Sequence, residues 1–192
     1  FLGVFCYVIG YILMAFRQED VQRRMEASAV SVRWQSMEGL LAMGVMGIAL
    51  WGIGIAGAGI MYGKTFWNSR TLGYYFLNSL LMMAVALSLS YLVGMFTKNS
   101  NMLSGLANVV SLGMCFLCGV FVPMNVMDKK VLTVSRFLPV YWYEQVNELL
   151  GEYTILTEKA ASQIHMAMGI EALFAVVFVC LTLTVVKYKR QK

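Results

Sequence analysis

The sequence predicts an all-α membrane protein, a polytopic helix bundle with an amphipathic helical hairpin on its outer side. Three observations predict it. Hydrophobic residues make up 59% of the 192 residues and charged residues only 13%, a balance that would leave a soluble domain with large exposed apolar patches. The apolar residues gather in low-charge runs near the roughly 20 residues a helix needs to cross the hydrocarbon core. The run ending at Pro123 then gives way to about forty residues that are too apolar for a solvated loop and too often charged for a crossing.

Five runs are expected to span: 1–16, 37–62, 72–96, 102–122 and 163–186. The first starts at Phe1 with no initiator methionine and no basic flank, several residues short of a full span, so the sequence reads as a fragment. A signal peptide does not explain that start, because no positive n-region or small-residue cleavage pattern accompanies it.

Residues 17–36, "RQEDVQRRMEASAVSVRWQS", form the most polar stretch. Glu19 precedes Arg23 by four residues and Asp20 precedes Arg24 by four, the order that supports a short solvated helix. Val21 and Met25 share one face of it. Two readings stay open at this point: a solvated connector, or a docking helix that offers Val21, Arg23, Arg24 and Met25 to a cytoplasmic partner.

The second run carries Gly44, Gly47, Gly52, Gly54, Gly57, Gly59 and Gly63. Gly59 and Gly63 make a GxxxG, which predicts close packing against another span, with a dimer contact as the lesser expectation. "YGKTFWNSR" follows as an outer turn with aromatic and basic anchors. Beyond the third run, Asn101, Ser104, Asn108, Ser111, Cys115 and Cys118 recur every three or four residues and stack into one seam of the fourth helix. Such a seam belongs against a neighbouring helix, as interhelical hydrogen bonds, or along a wet translocation path.

From Pro123 to about Ser162 the pattern is interfacial. Met127, Val131, Val134 and Leu138 fall on one helical face, with Lys129, Thr133 and Arg136 opposite. Pro139 ends that segment. A second segment has Trp142, Val146, Leu149 and Tyr153 on one side and Glu144, Glu148 and Glu152 on the other. In the last run Glu171 is the only carboxylate well inside an apolar stretch, a functional candidate by default. Some eight positions into the span, it is expected to reach the interface or pair with the outer loop. His165 reads as an interfacial histidine.

Basic residues orient the chain. With 17–36 on the cytoplasmic side, that side holds Arg17, Arg23, Arg24, Arg33, Lys98 and the four basic residues of the tail "KYKRQK", nine of the fifteen. The carboxy-terminus is then cytoplasmic in a multi-pass protein of the cell membrane. Cys6, Cys115, Cys118 and Cys180 all fall in spans and read as packing residues, the CxxC of Cys115 and Cys118 included.

With these elements in place, "SLGMCFLCGVFVP" followed by "FLPVYWYEQVNELL" and a final span with a basic tail resembles the carboxy-terminal half of a type-2 ABC exporter permease. The segment 17–36 resembles the coupling region of that family, although Ala29 and Val30 stand where many members have a proline pattern. The likeness covers essentially all 192 residues and rests on segment order. It implies six spans in the full subunit, so that a span would precede Phe1. It also implies a single permease domain over 1–192, coupling to the ATPase through Val21, Arg23, Arg24 and Met25, and a translocation path or dimer interface at Asn101, Ser104, Asn108 and Ser111. An outer gate hairpin over 123–162 would carry Pro123, Pro139, Trp142 and Glu148.

The implied function is transport by a non-enzymatic subunit that moves an amphiphilic substrate such as a drug, peptide or lipid. Its partners would be cytoplasmic ATPases, a second permease half and membrane lipids, with no nucleic acid. No GxxxxGK[ST] is present, so ATP and Mg would sit on the partner subunit and this chain would hold no cofactor or metal. A channel or secondary transporter is the competing reading. An intramembrane enzyme using His165 and Glu171 is a third, disfavoured because six residues on a helix separate the two by about 120° from a common face.

Overall fold

The computed structural model describes residues 2–16, 32–67, 71–97, 99–152 and 157–190, and every regular element among them is helical. In chain order these are α1 (Leu2–Phe16), α2 (Val32–Trp67), α3 (Leu72–Phe96), α4 (Ser100–Leu117), a 3-10 turn (Met124–Val126), α5 (Lys129–Ser135), α6 (Pro139–Glu152) and α7 (Glu158–Arg190). Four stretches are long and apolar enough to cross a membrane: Leu41–Lys64, Leu72–Phe96, Ser100–Leu117 and Glu158–Thr182. α1 is apolar as well, but its 15 residues reach only about 22 Å of a hydrocarbon core near 30 Å.

Side-chain pairs fix the directions. Cys6 meets Ser90 and Gly10 meets Gly94, so α1 and α3 run parallel. Gly3 lies against Ser111 and Gly10 against Leu103, which makes α4 antiparallel to both. Gly47 faces Leu87 while Trp51 donates to Ser79, so α2 is antiparallel to α3. Tyr74 and His165 rings stand 5.8 Å apart and put the starts of α3 and α7 at one end. The end of α1, the start of α2, the end of α3, the start of α4 and the end of α7 therefore share one side, with α5 and α6 on the other.

α3 is the centre of the bundle. It packs on α1, α2, α6 and α7 and buries Asn78, Met82, Val85, Ala86, Ser90 and Val93. The close approach comes from single glycines on two helices. A Cβ on Gly94 would stand 3.2 Å from the Gly10 Cα and 2.8 Å from Leu13 Cδ1, so only hydrogen fits there, and small residues are what let helices approach in lipid.

The GxxxG of α2 does something other than expected. The Trp67 indole folds back to within 3.1 Å of a Cβ on Gly59, and Gly63 sits at φ 54°, ψ −133°, a conformation that favours glycine. The motif thus makes a kink and a self-contact where packing on a second span was expected. Gly44, Gly52 and Gly57 would meet nothing within 4 Å. Gly47, against Leu87, does face another helix closely.

α4 also ends earlier than the apolar run does. Cys118 caps it with its N–H on the Met114 carbonyl, 2.9 Å away, and Gly119 turns at φ 94°, the left-handed step that closes many helices. The break expected at Pro123 therefore begins at Gly119, and Met124 packs over it.

Candidate functional site

The hairpin end of the bundle is built from short helices whose starts are coded locally. Asp128 accepts from the Lys130 N–H at 2.7 Å and so caps α5. Pro139 is fully buried as the first residue of α6, a position where a missing N–H costs nothing; it opens the second helix, while Arg136 caps the first. α5 is one residue rotated from its expected face. Ser135 is buried and Val134 is 57% exposed, because Ser135 Oγ donates to the Leu117 carbonyl at the end of α4 and turns the helix to do so.

A second tie joins the same region to α6. Glu148 Oε1 accepts from the Met124 N–H at 3.3 Å, just after Pro123, and Trp142 Nε1 donates to the Arg136 carbonyl at 2.9 Å. The expected gate residues Pro123, Pro139, Trp142 and Glu148 thus all lie at turns or ties of one hairpin. Neither helix can cross, since α5 spans about 10 Å and α6 about 21 Å. Val126 and Phe137 are 74% and 78% exposed, apolar surface suited to the outer leaflet.

Beneath the hairpin is a buried polar node between α3, α6 and α7. Asn78 of α3 is fully buried. Its Nδ2 donates to the Tyr143 carbonyl at 3.2 Å and to Asn147 Oδ1 at 3.1 Å, and Asn147 in turn donates to Glu144 Oε2 at 3.4 Å. Burial pushes the Glu144 carboxyl up; the Asn147 hydrogen bond opposes this and the Glu148 charge adds to it. The Tyr143 phenol is raised for the same first reason, with Glu144 and Glu171 contributing.

Glu171 is 0% exposed on α7, the helix that begins at Glu158. Both its oxygens lack a hydrogen-bond partner among the described residues. His165 is exposed and stacks near Tyr74, so the two are not brought together as an acid–base pair.

The α4 seam is split. Leu103 and Ala107 form its buried edge, Ser111 abuts Gly3 of α1, and Ser104 is half-buried. Asn101 and Asn108 are exposed, on a face that the described residues do not cover. Cys118 is buried and Cys115 half-buried, and no cluster of three His, Cys, Asp or Glu that could hold a metal occurs among the described residues. Val21, Arg23, Arg24 and Met25 lie outside the described residues.

Sequence reasoning missed Asn78. The signal was available: it is the sole amide in the 72–96 run, and the rule applied to Asn101 and Asn108 applies to it equally. The family model described as ABC-2 family transporter protein matches residues 1–184. The searches of curated proteins and of solved structures found no match.

Proposed function

The chain belongs to the ABC-2 family of transporter proteins, as a multi-pass membrane permease subunit of an ABC transporter, and on that premise we propose that it exports an amphiphilic substrate by alternating access. Separate cytoplasmic ATPases, which carry the ATP and Mg, supply the energy through residues 17–36. A second permease half packs on the polar face of α4, and the outer hairpin gates release. The protein lies in the cell membrane with its carboxy-terminus in the cytoplasm.

The observation that carries this reading is the placement of polar groups on α4. Asn108 stands exposed on a spanning helix, where lipid does not satisfy its amide and a partner helix or a wet path does. The same helix ends at Leu117, whose carbonyl accepts from Ser135 of the hairpin. One element therefore joins the uncovered polar face to the outer opening.

Single cysteines test the topology, in a background without the four native thiols. Those at Lys130 and Glu148 should both react with an impermeant maleimide from outside intact cells, and one at Gln191 should not. Labelling of the first two from opposite sides would remove the hairpin and the gate with it. For the path, Asn108→Leu should abolish transport in the reconstituted complex while Val109→Leu leaves it intact. If Asn108→Leu only lowers stability, by about 0.6 kcal/mol, the face is structural.

A further inference from the structure

Asn78 sits where three parts of the molecule meet, and its two hydrogen bonds are the ones that join α3 to the hairpin among the described residues. They bridge 65 and 69 positions of chain. One reaches a backbone carbonyl, so its geometry follows the path of α6 itself and not merely a side-chain rotamer. Val146 and Leu150 of α6, packed with Ile164, Ala167 and Met168 of α7, complete the seat.

At its other end α3 is locked to α1. The Gly10 and Gly94 backbones are in contact, Leu13 closes over Gly94, and Ser90 donates to Cys6 Sγ at 3.4 Å. α1 ends at Phe16, and residues 17–36 begin at once. Two helices in backbone contact slide poorly past each other, because a packed interface has discrete arrangements and few intermediate ones. Displacement of 17–36 along the membrane normal is therefore delivered to α1 and α3 together.

We propose that Asn78 is a positioning residue for the transport cycle: it fastens the outer hairpin to the α1–α3 pair, so that movement at the cytoplasmic coupling segment repositions the hairpin on the opposite side. This rests on the reading of 17–36 as coupling segment and of the hairpin as gate. Ser135 sets where the hairpin stands on α4, while Asn78 makes it follow α3. Two interhelical hydrogen bonds, each at about threefold in equilibrium, favour the docked over the undocked hairpin by roughly tenfold.

The experiment uses the permease purified with its ATPase, in a thiol-free background that retains ATP hydrolysis. Spin labels go at Lys130 on the hairpin and Leu80 on α3, both exposed, and the distance distribution is read without nucleotide and after vanadate trapping. The unsubstituted pair should show a hairpin that keeps one distance to α3 in both states, while a second pair, Lys130 with Val109 on α4, shifts between them.

With Asn78→Leu, and with Asn78→Asp as the near-isosteric loss of the donor, the Lys130–Leu80 distribution should broaden. The Lys130–Val109 shift should fall at least about threefold. Basal ATP hydrolysis should stay within about twofold, since the ATPase contacts are untouched. A Lys130–Val109 shift that survives both substitutions would overturn the role of Asn78 and leave the gate standing. No shift in the unsubstituted complex would remove the gate itself, and this proposal with it.

Discussion

α2 and α3 are neighbours, antiparallel and both apolar enough to span, yet 56% of the spanning window of α3 is buried within the chain against 11% for α2. Hydrophobicity makes both of them membrane helices and says nothing of which one sits inside. The difference lies in the small and polar residues. α3 places Asn78, Ser79, Ser88 and Ser90 in hydrogen bonds and Gly94 against Gly10. α2 spends its glycines elsewhere: Gly44, Gly52 and Gly57 face open space, and Gly63 makes a kink. A glycine count therefore misleads unless each glycine is matched to a partner on another helix.

The sharpest way to break the contrast is Gly94→Leu. It drives a side chain into the Gly10 backbone and Leu13, so stability in detergent should fall by about 3 kcal/mol or more, with misassembled protein as the visible result. A folded variant of unchanged melting temperature would mean that α1 and α3 are not locked. Next is Gly63→Ala on α2, where the backbone region is nearly closed to other residues and the cost should be about 1–3 kcal/mol. A smaller effect on melting temperature would place the kink elsewhere.

Trp51→Phe removes the side-chain hydrogen bond from Trp51 of α2 to Ser79 of α3 while keeping a ring in edge-to-face contact with Phe76, 5.7 Å away. A loss of about 0.6 kcal/mol is expected. Smallest should be Gly52→Leu, within about 0.5 kcal/mol for a lone permease in lipid. A normal melting temperature for the single subunit together with failure of the complex to assemble would show that a second permease half covers this face of α2.

Much of the architecture was legible because long apolar runs and the amphipathic pattern after Pro123 each have one dominant physical cause. Helix α3 over Leu72–Phe96 lies on the run read from composition alone. The turns were less so. Gly119 stood inside an apolar run and gave no sign that it would close α4 ahead of Pro123, and Pro139 could as well end one helix as begin the next. The face of α5 was off by one residue because a seven-residue helix is aimed by a single tertiary contact, Ser135 on Leu117. Period alone could not supply that. For Asn101 and Asn108 the spacing gave the shared face, and only the packing of Leu103 and Ala107 on α1 told which edge was left uncovered.

The reach of the Asn78 bonds along the chain has a consequence for biosynthesis. α3 leaves the ribosome well before α6, so its amide enters the bilayer while the Tyr143 carbonyl and Asn147 have yet to be made. For that interval the nascent protein carries an amide whose Nδ2 has yet to meet its acceptors on α6. A product terminated before Pro139 would keep α1 to α4 inserted and Asn78 facing lipid, a lasting flaw of the kind membrane quality control could recognise. Completion of the hairpin would then serve as the checkpoint at which a newly made subunit stops looking unfinished.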